Sequence, residues 1–341
     1  MLLRRLVFEI TSSGSEKVLY TFTDDKDGGY PKGALVRDDQ GNFYGTTYYG
    51  GSFGVGTVFE LSPIGAFKVL YSFTGGTDGA LPNSTLVRDK QGNLYGTAGY
   101  GPTTSSNCPF GCGEIFELGV DGVLTVLYNF TGGADGWGPM GGVLRDTRGN
   151  LYGTTSYGGG TTCLFGSGCG VVFALSASGT LTVLHSFTGG TDGGNPDAAL
   201  IQDAKGNLYG TTSGYDAGSG YGTVFEVSLK GTQRVLHVFD VTNGFNPIGG
   251  LVSDAQGNLY GTTADGGSGN CSQGCGVVFE LAPNRALTVL HFFAGGTDGS
   301  SPQASLVRDG LGHLYGTTTA GGGRDIDNCS SGCGTVFEVI P

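Results

Sequence analysis

A tyrosine followed by Gly-Thr returns along this chain at Tyr44, Tyr95, Tyr152, Tyr209, Tyr260 and Tyr315, at spacings of 51, 57, 57, 51 and 55 residues. A repeat of roughly 50 residues marks an array in which one supersecondary unit is copied and neighbours share a core. Four short segments recur in each copy. The first copy has ALVRD at 34–38, which leads through DQGN into FYGTT at 43–47. After a variable glycine-rich loop come GTVFEL at 56–61 and KVLYSF at 68–73. All are rich in Val, Leu, Phe, Tyr and Thr, the residues that strands favour. The separators carry turn chemistry. Asp38, Asp89, Asp146, Asp203, Asp254 and Asp309 stand where a carboxylate can cap a tight turn, with glycine three residues on for the left-handed backbone. No stretch sustains a capped 3.6-residue apolar period, so helices are expected to be nearly absent.

Four antiparallel strands per unit, copied six times, predict an all-β, six-bladed β-propeller filling residues 1–341 as a single domain. The strands are named A (LVRD), B (LYGTT), C (TVFEL) and D (VLYSF). The repeats fall at approximately 34–73, 85–130, 142–187, 199–239, 250–293 and 305–341, with N-terminal closing strands at 1–23. A linear β-helix has shorter coils and no need of a four-strand meander. The chain opens C–D and finishes A–B–C, so it holds a seventh C segment, Val7–Ile10. The expectation is that Val18–Phe22 completes the last blade and closes the ring, because open sheet edges invite pairing. Either Val7–Ile10 or Val336–Val339 then lies outside the regular blade.

Composition narrows the function. The 69 glycines accompany plentiful aromatic and branched residues, as tight turns between short strands require. A formal charge of −12 argues against a general nucleic-acid binder and against attraction to anionic membranes. No apolar run approaches the ~20 residues that span a bilayer, so membrane insertion is not expected. The opening MLLRRLVFEI is too short in apolar residues for a signal sequence, and any export signal lies outside this chain. Eight cysteines form four close pairs, Cys108/Cys112, Cys163/Cys169, Cys271/Cys275 and Cys329/Cys333. Close pairs read as small loop-closing disulfides in an oxidising compartment. Zinc is disfavoured, since the pairs sit on different repeats with no histidine near them.

The motifs GNLYGTT, GCGTVFEL and VLYSFTGGTDG, with LVRDxxGN between them, resemble the GloVer tandem-repeat family of bacterial surface proteins over essentially the whole chain. The resemblance implies an exported or cell-surface protein, often attached through varied C-terminal sorting signals, and it carries over no catalytic residue. The chain ends at VFEVIP without an anchor, which fits an anchorless form or a piece of a longer protein.

Residues present in every blade serve the blade, so a single site must be built from departures. His185, His237 and His291 take the place of Tyr20, Tyr71 and Tyr128 in strand D and are expected to pack as tyrosine does; His313 replaces a turn asparagine. No catalytic triad or metal cage converges from them. Glu9, Glu60, Glu117, Glu226, Glu280 and Glu338 recur in strand C, with Ala174 the exception, and Arg37, Arg88, Arg145 and Arg308 recur in strand A, with Gln202 and Ser253 as exceptions. Both sets are expected to pair structurally. The D–A loops bring Asp78, Asp135, Asp192 and Asp298 to one side, where Asp-Gly turn chemistry competes with a Ca2+ site; Asp325 and Asp327 form a weaker calcium candidate. No other cofactor is expected.

The aromatic asymmetry is the most informative departure. Tyr48, Tyr49, Tyr100, Tyr157, Tyr215 and Tyr221 lie in the B–C loops of the first four blades, and Trp137 in a D–A loop, whereas the last two B–C loops have no aromatic residue. Aromatic residues on rigid loops make binding platforms. The expected function is therefore a non-catalytic extracellular binding or structural module, with a polysaccharide or surface protein as partner on the D–A/B–C loop side. A lactonase-, lyase- or glycosidase-like enzyme is one alternative. Self-assembly by donation of Val7–Ile10 into a filament is another.

Overall fold

The computed structural model describes residues 5–11, 13–160, 163, 166–214, 220–269, 271–323 and 332–341. Among these every regular element is a strand except a three-residue 3-10 turn at Gly296–Asp298. The fold is a six-bladed β-propeller of small antiparallel sheets, and the strand letters read from the repeat hold throughout.

Blade 1 runs A Val36–Arg37, B Phe43–Thr47, C Thr57–Leu61 and D Phe67–Ser72; blade 2 runs A Val87–Arg88, B Leu94–Tyr100, C Glu114–Leu118 and D Leu124–Asn129. Blade 3 has A Leu144–Arg145, B Leu151–Thr155, C Val171–Leu175 and D Leu181–Ser186, and blade 4 has A Ile201–Gln202, B Leu208–Thr212, C Thr223–Val227 and D Gln233–Val238. Blade 5 comprises A Val252–Ser253, B Leu259–Thr263, C Val277–Leu281 and D Leu287–Phe292, and blade 6 comprises A Val307–Arg308, B Leu314–Thr317 and C Val336–Val339. The chain forms two compact units, 1–153 with 175–181 and 154–174 with 182–341. Among the described residues blade 2 alone gains an extra strand, Ala80–Pro82, which pairs with its lengthened B strand.

Register explains the copied motif. In blade 1 Tyr44 stands opposite Glu60 and Gly45 opposite Phe59. Phe59 is fully buried, and a Cβ on Gly45 would lie 2.7 Å from its ring and 2.8 Å from a Leu35 methyl. Blade 4 repeats this with Gly210, where a Cβ would lie 2.7 Å from the Phe225 ring and 2.8 Å from Leu200. Only a residue without a side chain fits between the two. That is why Tyr-Gly-Thr is written so strictly.

The second repeated contact joins neighbours. Phe73, at the end of strand D in blade 1, meets Phe116 of blade 2 edge-on at 5.3 Å between centroids. Phe187–Phe225, Phe239–Phe279 and Phe293–Phe337 repeat the contact at 5.1, 5.1 and 5.0 Å. Edge-to-face pairs add roughly 0.5–1.5 kcal/mol each beyond their area burial.

The N-terminus departs from the expected closure. Strand Leu6–Ile10 pairs with Glu16–Thr21 in a two-stranded sheet of its own, and blade 6 is three-stranded. The segment assigned to complete blade 6 thus takes the seventh C segment as its partner, and Val7–Ile10 is an ordinary C strand with the same bulge, between Val7 and Phe8, that blade 1 shows between Val58 and Phe59. The physical reason is local: a tight turn from Thr11 to Ser15 joins the strands, and short loops close at little entropic cost. Phe22 then meets Phe59 at 5.3 Å, as the D-strand phenylalanines Phe73, Phe187, Phe239 and Phe293 meet the blades that follow them.

Gly210→Ala is expected to lower unfolding free energy by ~1–3 kcal/mol through overpacking. Gly310→Ala, where a Cβ meets nothing within 4 Å, should change it by less than ~0.5 kcal/mol. Thermal or denaturant unfolding of the two variants makes the comparison.

Candidate functional site

Most of the repeated polar residues are consumed by the scaffold. Asp203 is typical: its Oδ1 accepts from the Asn207 amide at 2.9 Å and the Lys205 amide at 2.8 Å, and its Oδ2 from Asn207 Nδ2 at 2.9 Å and the Tyr209 hydroxyl at 3.1 Å. Burial opposes its charge, yet these donors outweigh burial and hold the carboxyl below the ordinary value. The same turn recurs at Asp38, Asp89, Asp146 and Asp254.

The D–A acids are engaged as well. Asp78 accepts from the Thr74 amide at 2.8 Å, the Tyr71 hydroxyl at 2.9 Å and the Thr74 hydroxyl. Asp135 repeats this with Tyr128 and Thr131. In Asp192 and Asp298 the tyrosine is replaced by His185 and His291, whose Nε2 atoms lie 3.2 Å from the carboxylate. These histidines do take the tyrosine's role. Each acid serves its own loop, and among the described residues no three His, Cys, Asp or Glu converge on a common point. Asp325 and Asp327 lie outside the described residues, as does Tyr215.

Three of the strand-A arginines reach across blade junctions, while Arg37 stands over Phe43 of its own blade. Arg88 lies 5.6 Å from the Tyr44 ring centroid, Arg145 lies 4.9 Å from that of Tyr95 and Arg308 lies 5.9 Å from that of Tyr260. Arg145 is also 3.9 Å from Asp89, and the Tyr95 hydroxyl donates to Glu117 at 3.1 Å.

The cysteines close their own loops. Disulfides join Cys108 to Cys112, Cys163 to Cys169 and Cys271 to Cys275. Cys333 is disulfide-bonded too. Its expected partner, Cys329, lies outside the described residues, so the fourth pairing is established at one end only.

What remains are the departures. On the B–C/D–A loop side of blade 1, Tyr30 and Tyr49 meet edge-on at 5.5 Å, and Tyr48 and Tyr49 at 4.6 Å. Arg5 covers the Tyr30 ring at 3.0 Å and Lys32 the Tyr48 ring at 4.1 Å. Burial, then Tyr100 and Tyr49, push the Tyr48 phenol up. The cluster still faces solvent: Tyr49 is 46% exposed and nearby Phe53 60%. The structure therefore joins Tyr48 and Tyr49, and adds Tyr30 and two cations. Tyr221 belongs elsewhere: it meets Phe245 at 5.4 Å and lines a cleft of about 750 Å³ with Val241 and Phe292. Trp137 and Tyr157 are half-buried.

The sequence reading passed over Glu114. The position that opens strand C is Thr57 and Thr223 in two blades and Val171 and Val277 in two, and in blade 6 Thr335 holds it, just before Val336. In the threonine blades this residue shares a hydrogen bond with the last threonine of strand B, as in Thr47–Thr57 at 2.8 Å and Thr212–Thr223 at 2.9 Å. Blade 2 has Ala98 opposite Glu114 instead. Glu114 is fully buried, neither carboxyl oxygen has a hydrogen-bond partner, and burial, then nearby Asp78, raises its pKa to about 8. The signal was present in the sequence as a paired break in the repeat.

Comparison with known proteins fits this architecture. A model of the Gloeobacter/Verrucomicrobia repeat matches residues 5–160 and again 100–337. No curated protein matches the chain by sequence. Among solved structures it is similar to a protein from Bacteroides uniformis proposed to be a 6-phosphogluconolactonase, with TM-score 0.56, 15% identity, and coverage of 96% of this chain and 92% of that one. A gluconolactonase from Xanthomonas campestris gives TM-score 0.51 at 14% identity, covering 99% and 95%. A luciferin-regenerating enzyme gives TM-score 0.51 at 16% identity, covering 92% of each chain. At these identities the likeness is one of fold.

Glu114 sets a pH dependence. Below its ordinary value of 4.5 both folded and unfolded chains are protonated there and the group costs nothing through ionisation. As pH rises from 4.5 to about 8, the unfolded chain releases a proton that the folded chain keeps. Stability then falls by up to ~1.4 kcal/mol per pH unit. The pair Ala98→Thr with Glu114→Thr restores the repeat. It is expected to remove that decline, with a clear gain in melting temperature at pH 9 and a much smaller one at pH 4.

Proposed function

Because the chain belongs to the Gloeobacter/Verrucomicrobia repeat family, we propose that it is an exported, non-catalytic binding module that holds a polysaccharide on the loop tyrosines of blade 1. The observation that carries this reading is the cluster of Tyr30, Tyr48 and Tyr49. The rings of Tyr30, Tyr48 and Tyr49 interlock edge-on while Tyr49 and Phe53 keep solvent-facing surface. Sugar rings present flat C–H faces, and rigid aromatic residues meet them with little loss of side-chain entropy. Arg5, ion-paired with Asp24, and Lys32 stand against the Tyr30 and Tyr48 rings and hold them in place. The loop-closing disulfides support export, since such bonds persist in oxidising compartments.

Lactone hydrolysis is the second reading, favoured by the gluconolactonase of similar fold. Against it, the carboxyl of Glu114, strongly raised in pKa, is wholly buried and out of reach of a substrate in this conformation.

A glycan array followed by titration separates the two. Tyr49→Ala with Phe53→Ala alters only exposed side chains and is expected to keep the melting temperature while weakening polysaccharide binding at least ~10-fold, the loss of about 1.4 kcal/mol of stacking. Unchanged binding in that variant, or no glycan bound by the wild-type protein, rejects the reading. Turnover of glucono-1,5-lactone well above the uncatalysed rate transfers the assignment to the enzyme.

A further inference from the structure

The blade junctions hold a second kind of departure, at the opposite ends of the strands, beside the A–B and C–D turns. Each junction is set by three positions: the strand-B tyrosine, the strand-C glutamate and the strand-A arginine of the next blade. Tyr44, Glu60 and Arg88 fill them at the first junction, Tyr95, Glu117 and Arg145 at the second, and Tyr260, Glu280 and Arg308 at the last. In all three the guanidinium stands over the tyrosine ring. After blade 3 the arginine and the glutamate are lost together, as Gln202 and Ala174. After blade 4 the arginine alone is lost. Tyr209 and Glu226 remain, and the arginine position is Ser253.

A cavity of about 650 Å³ lies at this junction, lined by Tyr209, Glu226, Gln202, Leu236, Ser253 and Leu259 among others. Tyr209 is half-buried, whereas Tyr44, Tyr95 and Tyr260 are 9, 7 and 4% exposed. Other charges face the cavity. Asp203 and Asp254 are spent on their own A–B turns, and Lys205, on the A–B turn of blade 4, and Arg285, on the C–D turn of blade 5, also line the cavity. Arg234 reaches Glu226 at 3.7 Å from the neighbouring strand and is 57% exposed. It stands opposite Glu226 as Lys68 stands opposite Glu60, and blade 1 accommodates Arg88 over Tyr44 as well as Lys68. Arg234 is therefore not the counterpart of the missing arginine.

We propose that this cavity is a binding site for a guanidinium group supplied from outside the chain, which stacks on Tyr209 and pairs with Glu226 where Ser253 leaves the arginine position empty. Arginine's planar cation suits both partners at once, a stacked ring and a carboxylate. A lysine ammonium matches the charge but not the stacking plane.

The test uses the full chain and N-acetyl-arginine amide, followed by calorimetric titration and by melting temperature. Saturable binding is expected for the arginine amide and not for its citrulline analogue, which has the same shape without the charge. Glu226→Gln should weaken it by ~10-fold, the smaller end of a charge-assisted hydrogen bond. Ser253→Arg should fill the site from within, raising the melting temperature and abolishing binding. Binding of Gly-Arg-Gly as tightly as the amide assigns the group to a peptide partner, and binding of free arginine alone assigns it to a small ligand; both uphold the site. Equal response to the arginine and citrulline amides, no response to arginine, or undiminished binding by folded Ser253→Arg or Glu226→Gln overturns it.

Discussion

In five of the six blades a phenylalanine of strand C presses against a glycine of strand B, with the strand-A leucine closing the other side; blade 3 has Val143 in place of that leucine. Gly45 with Phe59 and Leu35, and Gly210 with Phe225 and Leu200, leave no room for a methyl group. The contact fixes register, because a one-residue slip would turn every ring of that strand to the opposite face. It also fixes propagation. The ring that seats on the glycine is the one that receives the D-strand phenylalanine of the preceding blade. One steric requirement thus sets sheet register and blade stacking together.

The scaffold was legible because its constraints are local and written in each copy. Asp203, Gly206 and Asn207 make a turn that their spacing alone announces, and alternating strand residues announce the segments beside it. The partner of Val18–Phe22 was not legible by the same route. Sequence counts a spare C strand but does not say whether a strand pairs with its neighbour or with the far end of the chain. The short turn at Thr11–Ser15 decides for the neighbour.

The candidate sites were readable only in part, for a different reason. Tyr48, Tyr49 and Tyr100 stood out as aromatic residues on loops, and Tyr48 and Tyr49 meet each other and Tyr30. Glu114 and Ser253 are visible only when the blades are compared position by position. Glu114 breaks a threonine pair together with Ala98, and Ser253 breaks a tyrosine–glutamate–arginine set while leaving Glu226 behind. Neither residue type announces anything alone. Burial and cavity shape give them meaning, and these depend on neighbours supplied by the rest of the fold.

The central claim is that the repeat encodes the ring-on-glycine contact and that departures from the repeat carry whatever is specific to this chain. A double-mutant cycle between Gly261 and Phe279 addresses the first part directly, since a Cβ on Gly261 would lie 2.7 Å from the Phe279 ring. If that ring is the obstacle, Phe279→Leu should relieve the cost of Gly261→Ala, with a coupling energy above ~1 kcal/mol measured by denaturant unfolding. Additive effects, within ~0.5 kcal/mol, would contradict the account and place the reason for the repeated spelling elsewhere.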